Sequence, residues 1–223
     1  MRATLAAALV ALAAPAAAQD YIVTQGRLTD EEFYRLVACG AAPGGECRMP
    51  YVRWPRGRAS ALSVGIDRAP AGYPRALAEN VSDALDRAID EINGIGSALQ
   101  LSRAPGKAAD VVIRLIEVGD GEAVSGSGVP ELEGEPMGAA YVYVWWNGRM
   151  EITEARILMA DDLPHYEVYP VLLEELTQAM GFLNDIRNPL YDSESVFSED
   201  SNAVMTLGQQ DRAALLRHYP ALR

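Results

Sequence analysis

Between residues 73 and 93 the apolar side chains Leu77, Val81, Leu85, Ile89 and Ile92 recur at spacings of three and four. That period predicts a long amphipathic helix, ended by Gly94. A shorter helix is predicted after Leu28: Thr29 is its N-cap, Glu32 completes a capping box, Leu28 and Phe33 form a staple, and Gly40 stops it. Residues 61–66 alternate as a strand, residues 99–101 suggest a brief one, and the β-branched run 109–116 predicts a largely buried one. Residues 141–146 form a further predicted strand with Tyr141, Tyr143 and Trp145 on one face, where packing against a helix is the expected fate of such rings. Asn147-Gly148 is the hairpin signal before a returning strand at 151–159. Two more helices are expected at 166–180 and 206–219, the second opened by Thr206 and Gln209 as a capping box and closed by Pro220. Residues 119–138 are rich in Gly, Ser, Glu and Pro without an apolar period and read as a long loop.

The helix at 166–180 carries the candidate chemistry. Leu172, Leu173, Leu176, Ala179 and Met180 fall on one stripe, with Glu174, Gln178 and Gly181 on the opposite side. A metal site or an acid–base pair needs such an i, i+4 placement. A plain amphipathic helix with a solvated polar face produces the same pattern.

Charge narrows the field. With 31 acidic against 19 basic residues the formal net charge is −12, which argues against nucleic-acid binding, since that affinity rests on Lys and Arg neutralising phosphates. The loop at 119–138 has no Gly-Lys-Ser/Thr ending, so it is not a phosphate loop. Residues 1–18 read as a cleavable secretory leader: Arg2 is followed by a short apolar run and by Ala16-Ala17-Ala18 before Gln19. The run is shorter than the roughly twenty apolar residues of a membrane span. A periplasmic or secreted location follows, and in that oxidising setting Cys39 and Cys47 are expected to form a structural disulfide. Arg48, Arg53, Arg56 and Arg58, interleaved with Tyr51 and Trp54, form the basic cluster, expected to lie as a lid over an acidic body. Asp192, Glu194, Glu199 and Asp200 lack EF-hand spacing and read as a solvated acidic loop.

Glu174-Glu175-Leu176-Thr177-Gln178-Ala179-Met180-Gly181-Phe182-Leu183-Asn184-Asp185 has a familiar spacing. Together with the element order, it resembles the active-site helix of a metzincin-type zincin. That family carries His-Glu-x-x-His-x-x-Gly-x-x-His/Asp, then a methionine turn and a closing helix. Glu174 and Gln178 stand at the first two zinc histidines, Glu175 at the catalytic glutamate, Gly181 at the glycine, and Asn184 at the third ligand with Asp185 beside it. The segment around Met205 resembles the methionine turn, although a plain core methionine explains Met205 equally well. The same signature is similar to that of a set of exported bacterial proteins known only as a domain of unknown function.

The resemblance implies an α+β, zincin-like fold. A twisted mixed sheet would carry a backing helix, an active-site-like helix and a C-terminal helix. It divides the chain into a leader at 1–18, a disulfide-bearing helical segment at 19–58 and a zincin-like domain at 59–223. The departures count for more than the matches. The chain has two histidines, His165 and His218, and neither occupies a motif position, so no zinc is expected. Glu174, Gln178 and Asn184 or Asp185 offer oxygen ligands suited instead to calcium, magnesium or manganese. Three roles stay open: polar side chains that pin the fold, a cleft that binds a peptide, glycan or envelope protein, and a hydrolase working through Glu175 with Glu174 or Asp185. No cofactor, nucleic acid or membrane span is expected beyond a divalent ion in the last case.

Overall fold

The computed structural model describes residues 20–221, so the expected leader at 1–18 lies outside the described residues. In chain order it contains β1 (Asp20–Val23), α1 (Asp30–Cys39), α2 (Arg56–Ala59), β2 (Leu62–Ile66), α3 (Arg75–Asn93), β3 (Leu101–Arg103), β4 (Val111–Leu115), β5 (Ala140–Trp146), β6 (Ile152–Met159), α4 (Val168–Gln178), β7 (Asn184–Arg187) and α5 (Gln209–His218). This is a mixed α+β architecture. The main sheet runs β3-β2-β4-β6-β5, with β5 alone antiparallel at one edge, and a separate parallel pair joins β1 to β7. No helix among the described residues is long and apolar enough to cross a membrane.

The helical stripe of α3 and the apolar faces of β2, β4, β5 and β6 close one core, with α4 packed against α3. Residues from Val168 to Gln178 are all buried except Glu174, so α4 is a core helix and the expected solvated face does not exist. Alternation along β5 sends Ala140, Val142 and Val144 into this core and Tyr141 and Tyr143 to the other face of the sheet. There the rings meet Val124, Val129, Leu132 and Met137 from the long loop rather than a helix. That segment is a long loop, as expected, and supplies a second small core.

Local signals held to different degrees. The Thr29–Glu32 capping box forms, Gly40 caps α1 in the left-handed region, and Cys39 is bonded to Cys47. At the hairpin the left-handed residue is Met150 (φ 59), while Asn147 Oδ1 accepts from the Arg149 and Glu151 N–H groups. The N-cap of α5 is Gly208, not Thr206: the Asp211 carboxylate receives the Gly208 N–H at 2.8 Å, together with Ser195 Oγ and the Val196 N–H. A buried carboxylate reaching back from the first turn does what the Thr206–Gln209 pair was expected to do.

The end of α4 is fixed from outside the helix. Trp54 Nε1 donates to the Ala179 carbonyl at 3.0 Å, and the Tyr219 hydroxyl donates to the Met180 carbonyl at 2.6 Å while accepting the Trp54 N–H. These side chains satisfy carbonyls that a helix C-terminus leaves unpaired. Gly181 then turns back with φ +104, and a Cβ there would lie 2.1 Å from the Val52 carbonyl oxygen. Gly181→Ala is expected to cost about 3 kcal/mol or more, since it adds a backbone clash to left-handed strain. Gly134→Ala supplies the comparison: its φ is +90 with nothing within 4 Å, so it bears strain alone. Denaturant unfolding of both variants checks the difference; equal losses would remove the close approach as the cause.

Candidate acidic cavity on helix α4

Val171, Glu174, Glu175 and Gln178 follow one another at spacings of three, one and three, which aligns them along one face of α4. That face does not meet water broadly. It forms a wall of a cavity of about 220 Å³ completed by Ala139 and Ala140 at the start of β5, Asp185 on β7, and Ser198, Glu199 and Asn202. The reversal at Gly181 brings Asp185 back beneath α4, where its Oδ1 accepts from Gln178 Nε2 at 2.7 Å. Glu175 is 9% exposed, and its Oε2 is buried without a hydrogen-bond partner.

Four of the residues singled out in the sequence therefore converge: Glu174, Glu175, Gln178 and Asp185. Three do not line this cavity. Asn184 and Asp185 are consecutive strand residues and point to opposite sides. Asn184 contacts Met49 Sδ at 3.5 Å and lies beside Gly40, near the disulfide rather than the cavity. Gly181 faces Val52 and His218. Met205 is 44% exposed and lines surface hollows rather than this cavity, so it is not a core methionine.

Two surrounding segments also differ from expectation. The acidic loop is bonded rather than merely solvated: Asp192 accepts from Ser198 Oγ, Glu194 pairs with Arg27, and Arg187 pairs with Glu199 and Asp200. Glu199 joins the cavity, a placement hidden in the sequence because it depends on the chain folding back alongside Ile186. The arginine cluster is not a lid over these carboxylates. Arg53 and Arg56 border a different hollow with Tyr51, Trp54, Arg149 and His218, and Arg58 pairs with Asp110.

Neither histidine is available to the cavity. His165 lies against Asn80 at 3.2 Å. His218 is buried, with Nε2 donating to the Val52 carbonyl and Nδ1 against the Tyr34 hydroxyl. Burial lowers its pKa to about 4. Among the described residues no group of three or more His, Cys, Asp and Glu side chains is placed to hold a metal ion.

Burial, then the charge of Asp185, holds the Glu174 and Glu175 carboxyls well above the usual range, with Glu175 and Glu199 adding to the effect on Glu174. Asp185 is raised to about 7 by burial and by Glu199, against the opposing bond from Gln178. Burial also raises Glu199, opposed by Arg187. A folded carboxyl with a raised pKa keeps a proton that the unfolded chain has released. Its stabilising effect is therefore full below the unfolded value of about 4 and is lost as pH rises through the folded value, about 7 for Asp185. His218 works the other way, contributing above about 6.5 and losing that contribution as pH falls toward about 4. Glu175→Gln removes only a carboxyl term. It is expected to stabilise the protein by about 1–4 kcal/mol at pH 8 and by much less at pH 4. Thermal melts of wild type and variant across this range cancel the His218 contribution; a gain larger at pH 4 than at pH 8 would reverse the assignment.

A search of curated proteins finds no match. The profile of one family, described as a protein of unknown function (DUF2927), matches residues 77–222, which spans α3, the sheet strands β3 to β6, the acidic cavity and α5. The match covers well over half of the sequence, and the chain belongs to the DUF2927 family.

Proposed function

We propose that this chain is an exported, non-peptidase binding module, periplasmic or secreted, that keeps a metzincin-like scaffold without the zinc histidines and binds a peptide, glycan or envelope protein at the acidic cavity. One observation carries the proposal. Glu174, Glu175 and Gln178, which stand at zincin motif positions, line one cavity together with Asp185, the neighbour of the third position, and Glu175 Oε2 is buried beside it without a partner. The architecture supports the scaffold: α3 backs the sheet, the antiparallel edge strand β5 borders the cavity beside α4, and α5 closes the chain. Zinc does not suit the donors here. It favours imidazole and thiolate, whereas the lining residues present carboxylates, two amides and a hydroxyl, and both cysteines are in the disulfide.

A second reading is a hydrolase in which Glu175 works with Glu174 or Asp185. Its support is electrostatic: neighbouring carboxyls with different tendencies to hold a proton suit general acid–base chemistry, and Asp185 is raised to about 7. A divalent ion with oxygen ligands belongs to this second reading.

Elemental analysis of the purified protein is expected to find far less than one zinc per chain, and one zinc per chain would overturn the binding-module reading. Peptide and glycan libraries are expected to be bound without turnover. Turnover that disappears in Glu175→Gln, with a cooperative melt retained, would establish the hydrolase instead.

A further inference from the structure

We infer that the occupant of the acidic cavity is an alkylammonium group, the end of a lysine side chain or of a free aliphatic amine. The inference rests on the binding-module reading and gives it a ligand class. Four carboxylates, Glu174, Glu175, Asp185 and Glu199, line one small space. Arg187 offsets Glu199, with which it pairs, and is shared with Asp200.

Asp211 shows how this fold treats a buried carboxylate whose role is structural. Ser195 Oγ at 2.6 Å, the Val196 N–H at 3.1 Å and the Gly208 N–H at 2.8 Å together satisfy both of its oxygens. Glu175 is equally enclosed, yet its Oε2 receives nothing. Two of the neutral donors lining the cavity are committed, Gln178 Nε2 to Asp185 and Ser198 Oγ to Asp192, and the third, the Asn202 amide, carries no charge. What the cavity lacks is a donor with positive charge, and an ammonium group supplies three donors and one charge.

Size selects among cations. The space, about 220 Å³, lies below the range of about 300–1,000 Å³ common for whole small-molecule sites, so it suits the end of a side chain better than an entire sugar. Ala139, Ala140 and Val171 add a small apolar patch to the otherwise polar lining, enough for the methylene next to an ammonium group. A bare metal ion is disfavoured, because no three carboxylates among the described residues are placed to ligate one.

The test uses the full chain and titration calorimetry with n-butylamine, 1,5-diaminopentane, an end-blocked Gly-Gly-Lys-Gly-Gly peptide and its Nε-acetylated form, with n-butanol and calcium chloride as comparisons. The amines are expected to bind and butanol is not. Glu175→Gln and Glu174→Gln should each weaken amine binding about tenfold or more while melting cooperatively, because each removes a charge-assisted acceptor. Glu194→Gln, which alters a carboxylate paired with Arg27 outside the cavity, should leave binding unchanged. Binding of the lysine peptide but not its acetylated form identifies a side chain as the source, and binding of the diamine alone identifies a free amine. Equal binding of butanol and butylamine, or amine binding indifferent to both cavity variants, would overturn the inference. Glu175-dependent binding of calcium or a neutral glycan, without amine binding, would overturn the ligand class and leave the binding-module reading standing.

Discussion

The close approach of Gly181 to the Val52 carbonyl is the constraint on which the acidic cavity depends. A helix that ended one residue later, or a side chain at that position, would hold β7 away from α4. Because Gly181 admits the carbonyl, the chain reverses within a few residues and Asp185 reaches Gln178. Trp54, His218 and Tyr219 lock the same corner by bonding Ala179, Val52 and Met180. The segment preceding the main sheet and the closing helix α5 therefore share in shaping a site to which neither contributes a lining side chain.

This corner separates two kinds of buried polar group. His218 and Asp211 have their hydrogen bonds filled and hold elements together. The α4 carboxylates are poorly supplied: Gln178 serves Asp185, and one oxygen of Glu175 goes without. An unsatisfied buried acceptor costs about 1–3 kcal/mol, and more when charged. The fold contains the means to avoid that cost, as Asp211 shows, and does not use them at Glu175. Such a deficit has a physical rationale when a ligand supplies the missing donors.

Local order was legible where the signal was local. The period of Leu77 to Ile92, the Thr29–Glu32 box, the Gly40 stop and the Cys39–Cys47 pair each involve residues close in sequence, and each appears as expected. Signals that depend on distant partners were misread. Glu174 and Gln178 have the spacing of a wet helical face, yet a helix surrounded by sheet, α3 and β7 has no wet face. Composition read residues 119–138 as a long loop, which they are, without showing that the apolar residues spaced along them cover Tyr141 and Tyr143. At the cavity, the motif residues Glu174, Glu175 and Gln178 come together with Asp185. Asn184 lies apart from them, because β7 is a strand whose consecutive side chains part company, which a linear motif does not reveal.

The side chains lining the cavity thus differ in chemistry from the zinc motif that the sequence resembles. An imidazole cluster would present lone pairs converging on one soft cation. The carboxylates here surround a space instead of converging on a point, and burial, followed by mutual repulsion, keeps protons on them when nothing else does. A proton and an ammonium group then compete for the same acceptors. Neutral pH, where the unfolded chain would have shed those protons, is where the carboxyls most need an alternative counter-charge. A cavity of this kind has little use for a nucleophile and much for a cation, which is why binding ranks above hydrolysis among the roles that Glu175 can fill.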